Sequence, residues 1–228
     1  MKKVAIFDID GTIFRSSLVI EVTEALLTAG IFPASCRKIY LPAKENWRNR
    51  QGSYEDYIRA VVLAFEQNIK GVKQSDFLRI VHQVIDRNKD LLYRYTRDLV
   101  ADLKKRDYFL LAISHSPFEL VKEFSENLGF DKIYGRIYEV GPKNKYTSQV
   151  LYSQLIDNKY SIVRRALEKE NLTLKGSIGV GDTESDLSFL KKVSRPICFN
   201  PNKKLYQYAK RADWPIVVER KDVIYKIK

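Results

Sequence analysis

Residues 4–14 read VAIFDIDGTIF, and they set the architecture that the rest of the chain follows. The apolar run predicts a short buried strand over residues 3–8. Asp8 and Asp10 stand one residue apart at the end of this run, and Gly11 predicts a turn directly after them. A carboxylate at the end of a buried strand carries a desolvation cost unless it finds a partner. The pair therefore indicates a functional site at this strand end.

Strand patterns of the same kind recur further along the chain, and helix patterns separate them. Residues 108–114 (YFLLAIS) and 176–182 (GSIGVGD) predict buried strands, and RPICFN and WPIVV predict two more. Helices are predicted between them, over SPFELVKEFSENLG, DNKYSIVRRALEKEN, TESDLSFLKKV and NKKLYQYAKRA. This alternation predicts an α/β fold with a doubly wound, Rossmann-like parallel sheet.

The helix after residues 108–114 carries a full set of start signals. Ser116 is predicted to be its N-cap, Pro117 its first residue and Glu119 its third. An N-cap serine accepts a hydrogen bond from a backbone N–H of the first turn. The sequence therefore assigns the Ser116 hydroxyl to the end of this helix.

Residues 15–92 show mostly helical periodicity and separate the first strand from its next partner. They are predicted to form an inserted helical subdomain. Tyr54, Tyr57 and Phe65 recur at helical spacing, which indicates an internal core rather than a platform for stacking bases. His82, on the third predicted helix of this stretch, is interpreted as a structural or surface residue.

Length and composition predict a cytoplasmic globular protein. A chain of 228 residues suits one domain with an insertion, or two small domains. Asp8 and Asp10 interrupt the opening apolar run too early for a signal peptide, and no stretch is long enough for a membrane span. Cys36 and Cys198 lie far apart without CxxC spacing, which favours two free thiols in a reducing compartment.

The net charge is +12, from 40 Lys+Arg against 28 Asp+Glu. Such a balance invites a nucleic-acid interpretation. The basic residues are spread along the chain, however, and no block of five or more occurs. The charge therefore favours a solvated surface that attracts small anionic substrates, and nucleic acid is not the expected partner.

Three polar residues each end a predicted parallel strand: Asp8, Ser114 and Asp182. Ligands of open α/β sheets bind at this edge, so residues distant in sequence are expected to converge there. Two of these strand ends lead directly into helices, whose first N–H groups can bind a phosphate. The pattern therefore predicts a phosphate-binding site.

With these residues in place, the sequence resembles the haloacid dehalogenase superfamily, in its subfamily IB, the phosphoserine-phosphatase-like branch. The resemblance lies in DxDGT at residues 8–12, Ser114 at a strand end, Lys159 at a helix start and GDxxxD at residues 181–186. The ending FNPNKKLYQYAKRADWPIVV is similar to that branch as well. The resemblance implies a catalytic core over residues 1–14 and 93–228 and an α-helical cap over residues 15–92.

The resemblance implies a Mg²⁺-dependent phosphatase that forms an aspartyl-phosphate. Asp8 would be the nucleophile, and Asp10 would donate and then accept the proton. The metal would be held by the Asp8 carboxylate, the Asp10 backbone carbonyl and Asp182, with Asp186 as a further ligand or a support behind them. Ser114 and Lys159 would contact the phosphoryl group.

Some of these implied roles have alternatives within the sequence. Lys143 and Lys145 also precede the last motif, but they fall on a predicted hairpin rather than at a helix start. His115 follows Ser114 and is expected to face the phosphate with its backbone N–H, and its ring is a candidate substrate contact. The substrate-binding candidates are Gly11, Thr12, His115, Arg48 and Arg50.

The substrate is less well indicated than the reaction. Ser17 and Ser185 stand where phosphoserine phosphatases carry a Glu and an Asn, so groups expected to recognise an amino acid are missing. Arg48 and Arg50, in a predicted loop, could grip a second anionic group or could be ordinary surface residues. The expected partner is a small phosphorylated metabolite, and the sequence leaves the oligomeric state open.

Two other functions remain compatible with the residues. The basic charge suggests a phosphatase acting on nucleotides or nucleic-acid ends, although a cap over the site suits small substrates. A phosphotransferase that passes the phosphoryl group to an alcohol would use the same fold. A non-catalytic phosphate-binding module is disfavoured because Asp8, Asp10, Lys159 and Asp182 are all present.

Overall fold

The computed structural model describes residues 1–227 and divides them into two compact units. The first unit comprises Met1–Ser16, Lys89–Arg136 and the residues from Tyr152 onward. The second unit comprises Ser17–Asn88 and Ile137–Leu151.

Eight strands and ten helices make up the described residues. The strands are β1 (Lys2–Asp8), β2 (Phe109–Pro117), β3 (Lys132–Gly141), β4 (Lys145–Leu151), β5 (Leu172–Gly181), β6 (Arg195–Phe199), β7 (Ile216–Arg220) and β8 (Val223–Ile227). The helices are α1 (Leu18–Thr28), α2 (Arg37–Arg48), α3 (Tyr54–Ile69), α4 (Gln74–Asn88), α5 (Arg94–Lys105), α6 (Phe118–Asn127), α7 (Ser153–Ile156), α8 (Lys159–Lys169), α9 (Leu187–Leu190) and α10 (Lys203–Arg211). Across residues 1–227, each helix is too short or too polar to traverse a bilayer.

The sheet of the first unit confirms the predicted doubly wound arrangement. Its strand order is β3-β2-β1-β5-β6-β7-β8, and every pair is parallel except β7 with β8. β1 lies in the middle, with β2 on one side and β5 on the other. The chain therefore reverses its winding direction beside β1, which is where ligands bind in sheets of this type.

Side chains of β1 alternate between two buried faces. Val4 and Ile6 belong to a cluster that also contains residues of α8, α9 and α10. Phe7 points to the opposite face, where its ring meets Phe130 edge-on at 5.8 Å. Because both faces are covered, β1 is apolar at every position from Val4 to Phe7, which explains the continuous apolar run in the sequence.

The second unit contains α1 to α4 and the hairpin formed by the end of β3 and β4. The predicted domain boundaries assigned residues 137–151 to the catalytic core, but in the structure they belong to the second unit. Tyr138 packs on Phe65 at 5.2 Å between ring centroids, and Tyr146 packs on Phe77 at 5.3 Å. Aromatic side chains on one face of this hairpin therefore complete the core of the helical unit.

The elements that were not predicted include α2 and β8. Helix α2 contains Pro42, which usually ends a helical pattern, yet burial of Tyr40 holds the helix together. As a result Arg48 ends a helix instead of lying in a loop. Strand β8 pairs antiparallel with β7 and closes the sheet. Both cysteines, Cys36 and Cys198, are buried free thiols, as predicted.

The packing of Phe65 in the core of the second unit can be tested by mutation. We expect Phe65→Ala to lower the free energy of unfolding by about 3–5 kcal/mol, because Phe65 is fully buried among aromatic rings. Leu63→Ala, on the same helix at a position 48% exposed, is the matched control. Urea denaturation of both variants measures the difference, and equal losses would contradict this packing.

Candidate active site

Asp8 is the last residue of β1, and the alternation along the strand determines where it points. Val4 and Ile6 face the side of the sheet that α8 covers. Asp8, two residues beyond Ile6, falls on the same side. Helix α8 begins with Lys159, so the strand aims the Asp8 carboxylate at the first residue of this helix.

Lys159 connects two carboxylates inside the first unit. Its Nζ donates to Asp8 Oδ1 at 2.5 Å and to Asp186 Oδ1 at 2.6 Å, and the side chain is only 2% exposed. Burial lowers the pKa of Lys159, but Asp186 and Asp8 outweigh it and the pKa is raised. Asn158 fixes the helix start, because its side chain accepts a hydrogen bond from the Tyr160 N–H. The ammonium therefore remains charged.

The other candidate lysines lie elsewhere. Lys143 is in the turn between β3 and β4, and Lys145 opens β4. Both are exposed residues of the second unit. The contact with Asp8 is thus made by Lys159, whose catalytic role remains a prediction.

The loop after β5 supplies two further carboxylates. Asp186 is fully buried, and its Oδ2 accepts the backbone N–H groups of Asp182 and Thr183, each at 3.1 Å. Thr183 and Asp186 form a capping box. This network holds the Asp182 backbone beside Asp186 and orients the carboxylates of the loop.

The carboxylate oxygens of Asp8, Asp182 and Asp186 lie within 4.8 Å of one another. Asp8 Oδ2 is buried and has no hydrogen-bond partner among residues 1–227. The cluster contains three carboxyl groups and the single ammonium of Lys159, so ionisation of all three leaves a surplus of negative charge. Hard oxygen donors with surplus negative charge are what Mg²⁺ prefers, and the cluster fits such an ion. The Asp10 side chain does not belong to it.

Burial also alters the acidity of these groups. It raises the pKa of Asp8 to about 7, with Lys159 opposing the change and Asp186 and Asp10 adding to it. Burial raises the pKa of Asp182 as well, and the neighbouring Asp8 and Asp186 contribute to this. A bound cation would counter both shifts, because it favours the ionised carboxylates.

The Asp10 carboxylate points away from the cluster toward β2. Its Oδ2 accepts the hydroxyl groups of Ser114 and Ser116, the latter at 3.0 Å. The prediction that Ser116 caps the next helix is wrong: α6 begins at Phe118, its N-cap is Pro117 and no side chain caps it. The Ser116 hydroxyl is used in the site instead, a contact that the local start signals concealed.

Gly11 and Thr12 both lie against the Asp182 carboxylate. Gly11 has a φ of 75°, and a Cβ at this position would overlap Asp182 Oδ2. Thr12 is fully buried, and its hydroxyl donates to Asp182 Oδ1 at 3.4 Å. Both residues were predicted to bind substrate. Because the turn directs the Thr12 side chain inward, its contact in the structure is with a carboxylate.

The ring of His115 is held by the backbone. Its Nε2 lies 3.0 Å from the Ile156 carbonyl oxygen, which makes this nitrogen the donor. Burial lowers the pKa of His115 to about 4, and the charges of Lys159 and Arg136 contribute, while Asp186 opposes them. The imidazole is therefore neutral near pH 7 and is bonded to the chain rather than presented as a free donor.

Arg48 and Arg50 belong to the second unit. Arg48 is the last residue of α2, and Arg50 lies in the turn after it with a φ of 62°. Both side chains are exposed. Their predicted contact with substrate remains a prediction.

The fold and site define a doubly wound α/β protein whose acidic centre lies at the carboxyl ends of β1 and β5. Residues 5–191 match the family model of the haloacid dehalogenase-like hydrolases. The chain belongs to this family, as its motifs predicted.

Two curated relatives extend over most of the chain. One is the "Inhibition of morphological differentiation protein" of Streptomyces azureus, 22% identical over 220 residues that cover 93% of this chain and 77% of that protein. The other is the histidinol-phosphatase of Neisseria meningitidis serogroup C (strain 8013), also 22% identical, over 95% of this chain and 99% of that protein.

Solved structures share the fold over nearly the whole chain. A protein of unknown function from Bordetella pertussis Tohama I aligns with a TM-score of 0.74 at 16% identity, over 95% of this chain and 98% of that one. A phosphoserine phosphatase in apo form aligns with a TM-score of 0.66 at 22% identity, over 97% and 96%. At these identities the likeness establishes the common fold.

The depressed pKa of His115 predicts a stability change in mild acid. In the unfolded chain its pKa is about 6.5, so between pH 6.5 and 4 the unfolded state binds more protons. The His115 contribution to stability is therefore present above pH 6.5 and is lost as the pH falls toward 4. Between pH 7 and pH 5 this loss amounts to about 2 kcal/mol.

The variant His115→Gln removes this titration while it keeps a polar side chain. Urea denaturation of both proteins at pH 7 and pH 5 gives the difference, in which the titration of the carboxylates cancels to first order. We expect the wild type to lose about 2 kcal/mol more than His115→Gln. Equal losses would show that the ring is not held neutral in the folded protein.

Proposed function

We propose that the protein is a Mg²⁺-dependent phosphatase that hydrolyses a small phosphomonoester through an aspartyl-phosphate on Asp8. The observation that carries this proposal is the state of the Asp8 carboxylate. One oxygen is bound to Lys159, and the other, Oδ2, is buried without a hydrogen-bond partner among the described residues. A buried oxygen of this kind is available to a metal ion or to a phosphorus atom.

The first step transfers the phosphoryl group to the protein. An oxygen of Asp8 attacks phosphorus as the bond from phosphorus to the ester oxygen breaks, and the leaving oxygen takes a proton from the Asp10 carboxyl group. Lys159 keeps Asp8 in place and offers positive charge to the phosphoryl oxygens. Ser114, at the carboxyl end of β2, offers its hydroxyl to the same group.

The second step returns the carboxylate. Water attacks phosphorus and gives a proton to the ionised Asp10, the bond between Asp8 and phosphorus breaks, and inorganic phosphate leaves. Asp8 and Asp182 would hold Mg²⁺ together with the Asp10 backbone carbonyl, with Asp186 as a further ligand or a support behind them. When bound, the ion would neutralise charge on the phosphoryl group and on the carboxylates.

The relatives support a small substrate. The names phosphoserine phosphatase and histidinol-phosphatase describe enzymes that act on phosphomonoesters. We therefore propose a small phosphorylated metabolite of the cytoplasm as substrate. The two free, buried thiols agree with that compartment.

Phosphoserine itself is not the substrate that the residues favour. Ser185 is exposed, and its hydroxyl pairs with Thr183 Oγ1 at 2.8 Å. Ser17 is buried at the N-cap of α1. Neither side chain supplies the carboxylate or amide that the resemblance associates with an amino-acid substrate.

Activity toward p-nitrophenyl phosphate tests the proposal. We expect Mg²⁺-dependent turnover that EDTA removes and added Mg²⁺ restores. Asp8→Asn should lower kcat/KM by on the order of 10³-fold or more, because a neutral amide is not a nucleophile toward phosphorus and forms no ion pair with Lys159.

Asp98→Asn makes the same chemical change on the surface, where Asp98 is 61% exposed and pairs with Arg97. This control is expected to keep full activity. The proposal fails if the wild type has no phosphatase activity toward p-nitrophenyl phosphate and a panel of phosphorylated metabolites with Mg²⁺. It also fails if Asp8→Asn is as active as the control.

A further inference from the structure

Two serines of β2 hold the carboxylate that the proposed reaction uses for proton transfer. Ser114 and Ser116 both donate to the same atom, Asp10 Oδ2. The Ser116 N–H in turn donates to Ser114 Oγ at 2.9 Å. Ser116 is 3% exposed, and Ser114 is fully buried. The hydrogen bonds of Ser114 and Ser116 are therefore largely shielded from water.

An irregularity in β2 brings both hydroxyls to one oxygen. Ile113 pairs with Tyr134 and Pro117 pairs with Arg136, so β2 advances four residues while β3 advances two. Extra residues in one strand form a bulge, which bends the strand and redirects its side chains. Ser114 and Ser116 lie inside this bulge, beyond the last pair of β2 with β1 at Ile113.

The backbone of Ser116 is constrained from two directions. Pro117 disfavours helical geometry at the residue before it and keeps Ser116 extended. On the other side lies Gly135 of β3, where a Cβ would come within 3.1 Å of the Ser116 carbonyl oxygen and 2.7 Å of Phe118 Cα. The chain itself therefore fixes the position from which the Ser116 hydroxyl reaches Asp10.

The hydroxyl groups of Ser114 and Ser116 differ in the hydrogen bonds that they make during the proposed reaction. A serine hydroxyl carries one hydrogen to donate. In the proposed reaction Ser114 turns this hydrogen to a phosphoryl oxygen, so it can no longer donate to Asp10. Ser116 keeps its hydrogen bond to Asp10 Oδ2 throughout. The Asp10 carboxyl group thus retains this hydrogen bond when substrate occupies the site.

We propose that Ser116 is a positioning residue for proton transfer by Asp10. The inference rests on the proposed function. Because the serine hydroxyls occupy Oδ2, the proton that Asp10 transfers resides on Oδ1. Ser116 holds the carboxyl group in the orientation in which Oδ1 faces the leaving oxygen of the ester. Without Ser116, the hydrogen bond that orients Oδ2 is lost when Ser114 engages the phosphoryl group.

The basicity of the leaving group distinguishes this role from a merely structural one. Phenolate is more basic than p-nitrophenolate, so its departure depends more strongly on protonation by Asp10. We expect Ser116→Ala to lower kcat/KM for phenyl phosphate far more than for p-nitrophenyl phosphate. The ratio of the two values should fall about tenfold relative to the wild type, within the range that general acid catalysis spans.

Three further variants make the comparison specific. Ser177→Ala removes another buried serine hydroxyl of the first unit, which donates to the Leu174 carbonyl at 2.6 Å, and should leave the ratio unchanged. Ser116→Thr and Ser116→Val have nearly the same shape and differ in the hydroxyl. Thr should keep the wild-type ratio and Val should lose it, which decides the matter even if Ser116→Ala does not fold.

The outcomes separate this inference from the proposed function. Equal losses with both substrates in Ser116→Ala, or the same ratio in the Thr and Val variants, would overturn the positioning role and leave the phosphatase intact. An inactive wild type with both aryl phosphates and a metabolite panel in the presence of Mg²⁺ would overturn the proposed function and this inference with it.

Discussion

The site depends on one buried ammonium group, that of Lys159, between the carboxylates of Asp8 and Asp186. Buried carboxylates that lack a cation carry a desolvation cost of several kcal/mol each and become protonated instead. Lys159 is the partner that opposes this effect at Asp8, whose pKa burial raises to about 7. Removing one member of such a pair leaves the others as uncompensated buried charges, so these residues act as a unit.

The fold brings this ion group together from three separate stretches of the chain. The pleat of β1 puts Asp8 on the face covered by α8, and the cap of α8 fixes the position of Lys159. The loop after β5, on the other side of β1, adds Asp182 and Asp186. Local rules of alternation and capping are therefore enough to place a charged centre at the point where the sheet changes direction.

Features that depend on local sequence patterns could be predicted, and features that depend on contacts between distant residues could not. The alternation of strands and helices depends on local patterns, and the structure agrees with it. The exception is the junction after Ser114, where β2 continues to Pro117 and α6 begins at Phe118. The contact of Ser116 with Asp10 depends on the bulge that β2 forms beside β3. The local sequence does not reveal this bulge and instead predicts Ser116 as a helix N-cap. The packing of Tyr138 on Phe65 joins residues distant in sequence, which periodicity alone does not reveal. Pro42 similarly conceals α2, because tertiary burial outweighs its local preference.

The central claim is that Asp8 becomes covalently phosphorylated, and acid quenching during turnover of a ³²P-labelled aryl phosphate tests it most directly. The account predicts label on the peptide that contains Asp8, released by hydroxylamine as expected of an acyl phosphate and absent from Asp8→Asn. Turnover that leaves the protein unlabelled in the pre-steady state, or label on a different residue, would contradict it.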